Sequence, residues 1–266
     1  MGGSVEQGEG GATMDRRLAR KIVLVTGGSS GIGRAIAIAC ARAGAEVAIT
    51  YRHNAEGAQE TAGVIRQLGG RVEIRQLDVA LESELETLAS ELHRTYGRVD
   101  VWINNAGADI LTGAARSLAP LEKLDLLLRV DVRGTVLASW AAAGLMRSQA
   151  GGGVIINLSW DHVTQGMAGE NPVLYSVAKG AILSFSRSLA RDVAPAIRVN
   201  VLAPGFIATA FEDEAPASWR QHVIEVTPLR RWGTPEDVAA AAVYLASDEA
   251  AFLTGQVIMV NGGVVM

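Results

Sequence analysis

The chain has 266 residues, 49% of them hydrophobic and 20% charged, which suits one α/β domain with a large core. A net charge of −4 and a pI near 5.6 leave no electrostatic footprint for nucleic acid, and no apolar run approaches the length of a membrane span. The lone Cys40 rules out a disulfide within the chain and reads as a buried inert thiol, so a cytoplasmic address is expected, with no metal site.

Residues 1–16 are expected to be a mobile tail, because positions 2–12 are rich in Gly and Glu and lack periodicity. The fold is expected over 17–266. Positions 22–25 form an unbroken run of Ile, Val and Leu that reads as a fully buried strand, and they lead into a glycine-rich turn. From Gly31 a helix follows, with Ile32, Ala35, Ile36, Ala39 and Cys40 at helical spacing and Gly44 as its stop. Strand, glycine turn and helix in that order collect backbone N–H groups and the positive helix end at one point, where a phosphate can sit. The alternation continues with strand 46–51, helix 55–68, strand 72–77, helix 82–96 and strand 99–104. A long helix is expected over 121–147, then strand 154–158, a helix over 173–193, strand 197–202 and a loop through 218. Thr234-Pro235-Glu236-Asp237 is a helix start, with Thr as cap and acids against the dipole; strand 256–260 closes the chain. The pattern predicts a single-domain, doubly wound parallel sheet with helices on both faces. Its ligand crevice should lie between the first and fourth strands.

The glycine turn, Thr26-Gly27-Gly28-Ser29-Ser30-Gly31-Ile32-Gly33, resembles that of the classical short-chain dehydrogenase/reductase family, a Rossmann-fold family. So do Asn104-Asn105-Ala106-Gly107 after the fourth strand, the Tyr-xxx-Lys spacing of Tyr175 and Lys179, Pro204-Gly205 after the sixth strand, and Asn261-Gly262-Gly263. The resemblance spans 21–263. It implies an oxidoreductase that interconverts a carbonyl and an alcohol on a small or medium organic substrate, and a homodimer or homotetramer built through the long helix and the Tyr-bearing helix. The alanine-rich face of Ala138, Ala141, Ala142 and Leu145 would permit that packing. It also implies a dinucleotide held by Gly27, Ser29, Ser30, Gly31, Ile32, Gly33, Asn105, Ala106, Gly107, Tyr175, Lys179, Pro204, Gly205, Ile207 and Thr209. In that scheme Asp78 and Val79 hold adenine, Tyr175 is the acid/base, and Lys179 holds the ribose.

The residues agree on physical grounds. Tyr175 and Lys179, four apart on a helix, share a face, and a nearby cation lowers a phenol's pKa. At the end of the second strand, Tyr51 stands where a carboxylate would exclude a 2′-phosphate and Arg52 can bind one, favouring NADP(H) over NAD(H). Ser30 stands where many NADP-using relatives carry a basic residue, which keeps NAD(H) open.

Two positions depart from the family pattern. Relatives end the fifth strand with Asn-x-Ser-Ser and use the second Ser to bind the substrate oxygen; here the run is Asn157-Leu158-Ser159-Trp160-Asp161-His162. Trp160 takes the serine slot if register is kept, and Ser159 can replace it only through a bulge or twist. The Trp160 indole or the His162 ring is the other candidate donor. Relatives also carry Asn where Asp131 stands, and use it to hold a water linked to the lysine. Asp131 would raise the Lys179 pKa and oppose phenolate formation, or would pair with Arg133 or another cation. Phe206, with Trp160, Met167 and Phe211, would line an apolar substrate pocket. These departures keep a rival reading open, a dinucleotide sensor or scaffold that has lost most of its chemistry.

Overall fold

The computed structural model describes residues 16–266; the expected tail lies outside them except for Arg16. Seven strands form one parallel sheet in the order β3-β2-β1-β4-β5-β6-β7. They are β1 (Ile22–Val25), β2 (Glu46–Tyr51), β3 (Val72–Gln76), β4 (Val101–Asn104), β5 (Gly153–Leu158), β6 (Ile197–Pro204) and β7 (Val257–Val260). Strand order reverses between β1 and β4, so the loops leaving these two strands diverge and open the expected crevice.

Alternation along each strand splits the core in two. Val23, Val25, Ile103 and Ile156 face α1 (Gly31–Arg42), α2 (Ala55–Gln67) and α9 (Pro235–Ala246), packing on Ile36, Ile65 and Val243. Ile22, Leu24, Trp102 and Ile155 face the opposite layer, α3 (Glu82–Tyr96), α5 (Gly134–Arg147) and α6 (Glu170–Val193), through Leu88, Met146 and Leu189. Cys40 is fully buried in the first layer, and burial pushes its thiol up to about 12.

The structure departs from the sequence expectations in three places. The long helix is α4 (Pro120–Leu127), a π-helical turn (Leu128–Arg133) and α5 in continuous succession. The stretch after β6 carries α7 (Ala210–Glu214) within the expected loop and α8 (Ala217–Val226) from its end onward, where no element was expected. Ala138, Ala142 and Leu145 pack into the chain's own core and leave Trp140, 58% exposed, as the large apolar side chain on the outer face of α5.

A buried polar network fixes the strand ends beneath the crevice. Asn104 Nδ2 donates to Asn157 Oδ1 at 2.8 Å and to Ser139 Oγ at 3.0 Å, Asn157 Nδ2 donates to Ser186 Oγ at 2.8 Å, and Trp102 Nε1 donates to Asn104 Oδ1 at 2.9 Å. One amide pair thereby ties β4 and β5 to α5 and α6. Asn157→Leu keeps the branched shape but adds bulk and takes one hydrogen bond each from Asn104 Nδ2 and Ser186 Oγ, and is expected to cost about 2–4 kcal/mol of stability. An unchanged urea midpoint would contradict that role.

Candidate active site

The glycine loop is shaped by close approach. A Cβ on Gly33 would lie 2.2 Å from Gly27 O and 2.4 Å from Asn105 Nδ2, so α1 meets the loop only because position 33 lacks a side chain. Gly27 itself sits at φ +68°, in the left-handed region. Thr26 and Asn105 lock the loop to β4. Thr26 Oγ1 accepts from the N–H groups of Asn105 and Ala106, both at 3.0 Å, and Asn105 Nδ2 donates to Thr26 O and Gly27 O. No side chain caps the first turn of α1 at Ser30, so its N–H groups are left for an anion. Across the crevice Thr209 faces Gly31; a Cβ there would lie 3.6 Å from its methyl group. This cradle of open donors between Ser29, Ile32 and Thr209 fits a dinucleotide diphosphate. Arg34, absent from the sequence expectations, braces it by donating to Ser29 O and Gly57 O at 3.1 Å each while pairing with Glu60.

At the far end of β2, Tyr51 ends the strand and Arg52 Nε pairs with Asp78 Oδ2 at 3.0 Å. Asp78 Oδ1 also accepts from Ala80 N, so this loop aspartate forms a turn as well as the ion pair. Val79 is buried against Gly134, where any Cβ would lie 2.8 Å from its methyl carbon. Pro204 pairs with Val260 in register, Gly205 N donates to Val260 O, and Ile207 bridges to Gly233. These contacts hold the loop after β6 at the carboxyl edge of the sheet.

The reacting end is built on α6. Lys179 Nζ lies 5.2 Å from the Tyr175 ring centroid and 2.8 Å from Asp131 Oδ1. The Asp131 and Lys179 side chains are 0% and 6% exposed, and Asp131 Oδ2 accepts from Ala108 N at 2.8 Å. The acid therefore pairs directly with the lysine. Arg133 instead meets Ala80 O and Glu82. Burial opposes the charge on Lys179, but the carboxylate of Asp131, followed by Tyr175, outweighs it and raises the lysine's pKa. Tyr175 is also raised overall. Burial is the largest cause, Lys179 pulls the other way, and Asp131 adds to the rise. The sequence-based expectation of a lowered phenol is thus corrected, because desolvation outweighs the neighbouring cation.

The expectation for Ser159 as oxygen donor is also corrected. Strand pairing continues without a bulge, since Ser159 N donates to Leu202 O at 2.8 Å, and Ser159 Oγ donates to Lys179 O at 2.8 Å. Its hydroxyl is turned to the backbone of α6. Trp160 takes the other face, with its ring edge-on to Tyr175 at 5.6 Å. From there an aromatic wall runs through His162, stacked on Trp160 at 5.0 Å, to Phe206, Trp219, Trp232 and Phe211. Trp219 and Trp232 escaped sequence reasoning, lying on a helix and a turn that carry no motif.

Sheet order, an open glycine-loop cradle and a Tyr–Lys pair at the mouth of one crevice define a dinucleotide-dependent oxidoreductase of the doubly wound class. Residues 27–265 match the family model described as enoyl-(acyl carrier protein) reductase. The L-rhamnose 1-dehydrogenase (NAD(P)(+)) of Sphingomonas sp. is 37% identical over 91% of this chain and 95% of its own. A 7α-hydroxysteroid dehydrogenase solved with NADH and 7-oxo glycochenodeoxycholic acid superposes with a TM-score of 0.85 at 32% identity, covering 94% of this chain and 96% of its own. A short-chain dehydrogenase from Burkholderia cenocepacia J2315 solved with NADP gives 0.82 at 34% identity, covering 93% and 99%. The chain belongs to the classical short-chain dehydrogenase/reductase family and is an oxidoreductase acting on CH–OH groups with NAD(P). Among the described residues no helix is long and apolar enough to cross a membrane.

Proposed function

We propose that the protein is a cytoplasmic, NADP(H)-preferring enzyme that interconverts a carbonyl and an alcohol on a small or medium organic substrate. The observation that carries this reading is the placement of Tyr175 on one face of α6 with Lys179, at the carboxyl ends of β4 and β5. A bound dinucleotide would supply or accept the hydride. In carbonyl reduction Tyr175 gives its phenolic proton to the substrate oxygen, and the Lys179 cation stabilises the phenolate left behind. In alcohol oxidation the same oxygen takes the proton back. The aromatic wall excludes water from the reacting end and offers flat apolar faces to a ring-bearing substrate.

The cofactor preference rests on Arg52, partly exposed at the end of β2, and on the absence of a carboxylate at Tyr51. The ion pair with Asp78 uses Nε, leaving the Nη groups of the fork for a phosphate. Arg52→Ala is expected to weaken NADPH by about 10- to 100-fold, the worth of one charge-assisted contact, and NADH by less than about twofold. Equal losses would remove the basis of the preference. Fluorescence titration with NADPH and NADH, followed by absorbance assays on cyclohexanone, acetophenone, L-rhamnose and a 7-oxo bile acid, tests the reading as a whole. NADPH binding without turnover on any of them would count against it. A dimer or tetramer is supported by Trp140 on α5 and by Val173 and Val177 on α6, all exposed on the two helices that would pair.

A further inference from the structure

Beside the Tyr–Lys pair stands a second arrangement of titratable groups. The Asp161 side chain is 0% exposed, and its Oδ1 lies 2.7 Å from Nδ1 of His162, itself 12% exposed. Asp161 Oδ2 accepts from Asn261 Nδ2 at 3.1 Å. Asn261 is fixed in turn, because Nδ2 also donates to Val265 O and Oδ1 accepts from Gly263 N. Gly205 completes the housing: any Cβ there would fall 2.9 Å from Asp161 Oδ2. Segments leaving β5, β6 and β7 thus converge on one carboxylate. Among the described residues no Lys or Arg forms an ion pair with it, so the imidazole is its one titratable partner. Burying a lone carboxylate is strongly unfavourable, and a surface histidine needs no such support.

The consequence falls on the outer nitrogen of the ring. With Nδ1–H given to Asp161, a neutral His162 carries its lone pair on Nε2, and a protonated one carries a donor there. The ring is held between Trp160, which touches Tyr175, and Phe206. We propose that Asp161 is a positioning residue for His162, and that His162 Nε2 makes the second hydrogen bond to the substrate oxygen. It would do so in place of the serine hydroxyl whose slot Trp160 fills in this chain, Ser159 being turned toward α6. In carbonyl reduction the protonated ring donates Nε2–H to the oxygen; in alcohol oxidation the same donor holds the oxygen as negative charge develops on it, while the alcohol's one O–H proton passes to Tyr175. This inference rests on the oxidoreductase reading of the same site.

Two measurements on the full chain test it. In 15N NMR of the imidazole nitrogens, with His162→Gln identifying the signal among four histidines, His162 should be the Nδ1–H tautomer with a far-downfield proton that Asp161→Asn removes. An Nε2–H tautomer would overturn the proposal, and no substrate is needed to see it. In the kinetic arm, with the substrate that the panel returns, His162→Ala should lower kcat by about 100-fold, leave NADPH affinity unchanged, and recover in part with added imidazole. Because that variant strands a buried acid, Asp161→Asn/His162→Ala is assayed beside it and should show the same kcat loss. Full activity in either variant, or a loss that tracks melting temperature and ignores imidazole, would overturn the proposal. Absence of turnover by the unaltered protein would instead refute the functional reading, with the tautomer still deciding the dyad.

Discussion

Tyr175→Phe is expected to lower turnover by about 10²- to 10⁴-fold while leaving NADPH affinity within about twofold. The ring keeps its edge contact with Trp160 and its place near the Lys179 ammonium, so the substitution removes one oxygen and little packing. That oxygen is the group placed to pass a proton to and from the substrate. With its pKa raised by burial, Tyr175 holds its proton at neutral pH, the state that carbonyl reduction consumes. Alcohol oxidation needs the phenolate and should therefore accelerate as pH rises. Stopped-flow traces that separate cofactor binding from the chemical step would check the result. Retained kcat in the Phe variant would dismiss Tyr175 as the acid/base.

The second large effect concerns the buried pair beneath that tyrosine. Lys179→Met leaves the Asp131 carboxylate enclosed with only the Ala108 N–H as partner, and is expected to cost about 3–5 kcal/mol of stability. Asp131→Asn/Lys179→Met removes the stranded charge and should recover most of that loss. The folded-state pKa of Lys179 is raised, so the pair's contribution is complete below the unfolded value of about 10.4 and fades only as pH climbs through the folded one. Urea unfolding at neutral pH therefore reads the full effect; a Lys179→Met midpoint equal to that of the parent would contradict it. Asp131→Asn alone restores the residue that family members usually carry. It removes one of the influences raising the Tyr175 pKa, so the pH–rate inflection for alcohol oxidation should move to lower pH. Movement in the opposite direction would show that Asp131 acts mainly by holding Lys179 in place.

The layers and the crevice were legible because buried parallel strands are continuous apolar runs, and glycine stops separate them from amphipathic helices. Trp160 in the serine slot was legible too, since alternation along a strand is a property of the backbone. Ser159 was misread as a candidate donor because nothing local reveals that its hydroxyl would reach the carbonyl of Lys179. Asp161 is the clearest gap. Its meaning depends on Gly205 and Asn261, which meet it only after two crossovers bring their strands side by side. The 3.6-residue pattern over 121–147 hid the π turn, because an added residue leaves both flanking helices amphipathic. α8 was missed for the opposite reason: Val223 is its one fully buried side chain, so its apolar stripe is too thin to read.

The π turn carries its own consequence. Such a turn holds one residue more than an α turn, so the helix after it is rotated by about 100° relative to an unbroken continuation. Asp131 sits inside that surplus, and Gly134 begins the rotated half against Val79. Loss of a single codon between 128 and 133 would let the helix run straight, keep its composition nearly intact, and carry the acid away from Lys179. The chemistry at α6 is thus tied to the length of a neighbouring helix as firmly as to the identity of any side chain on it.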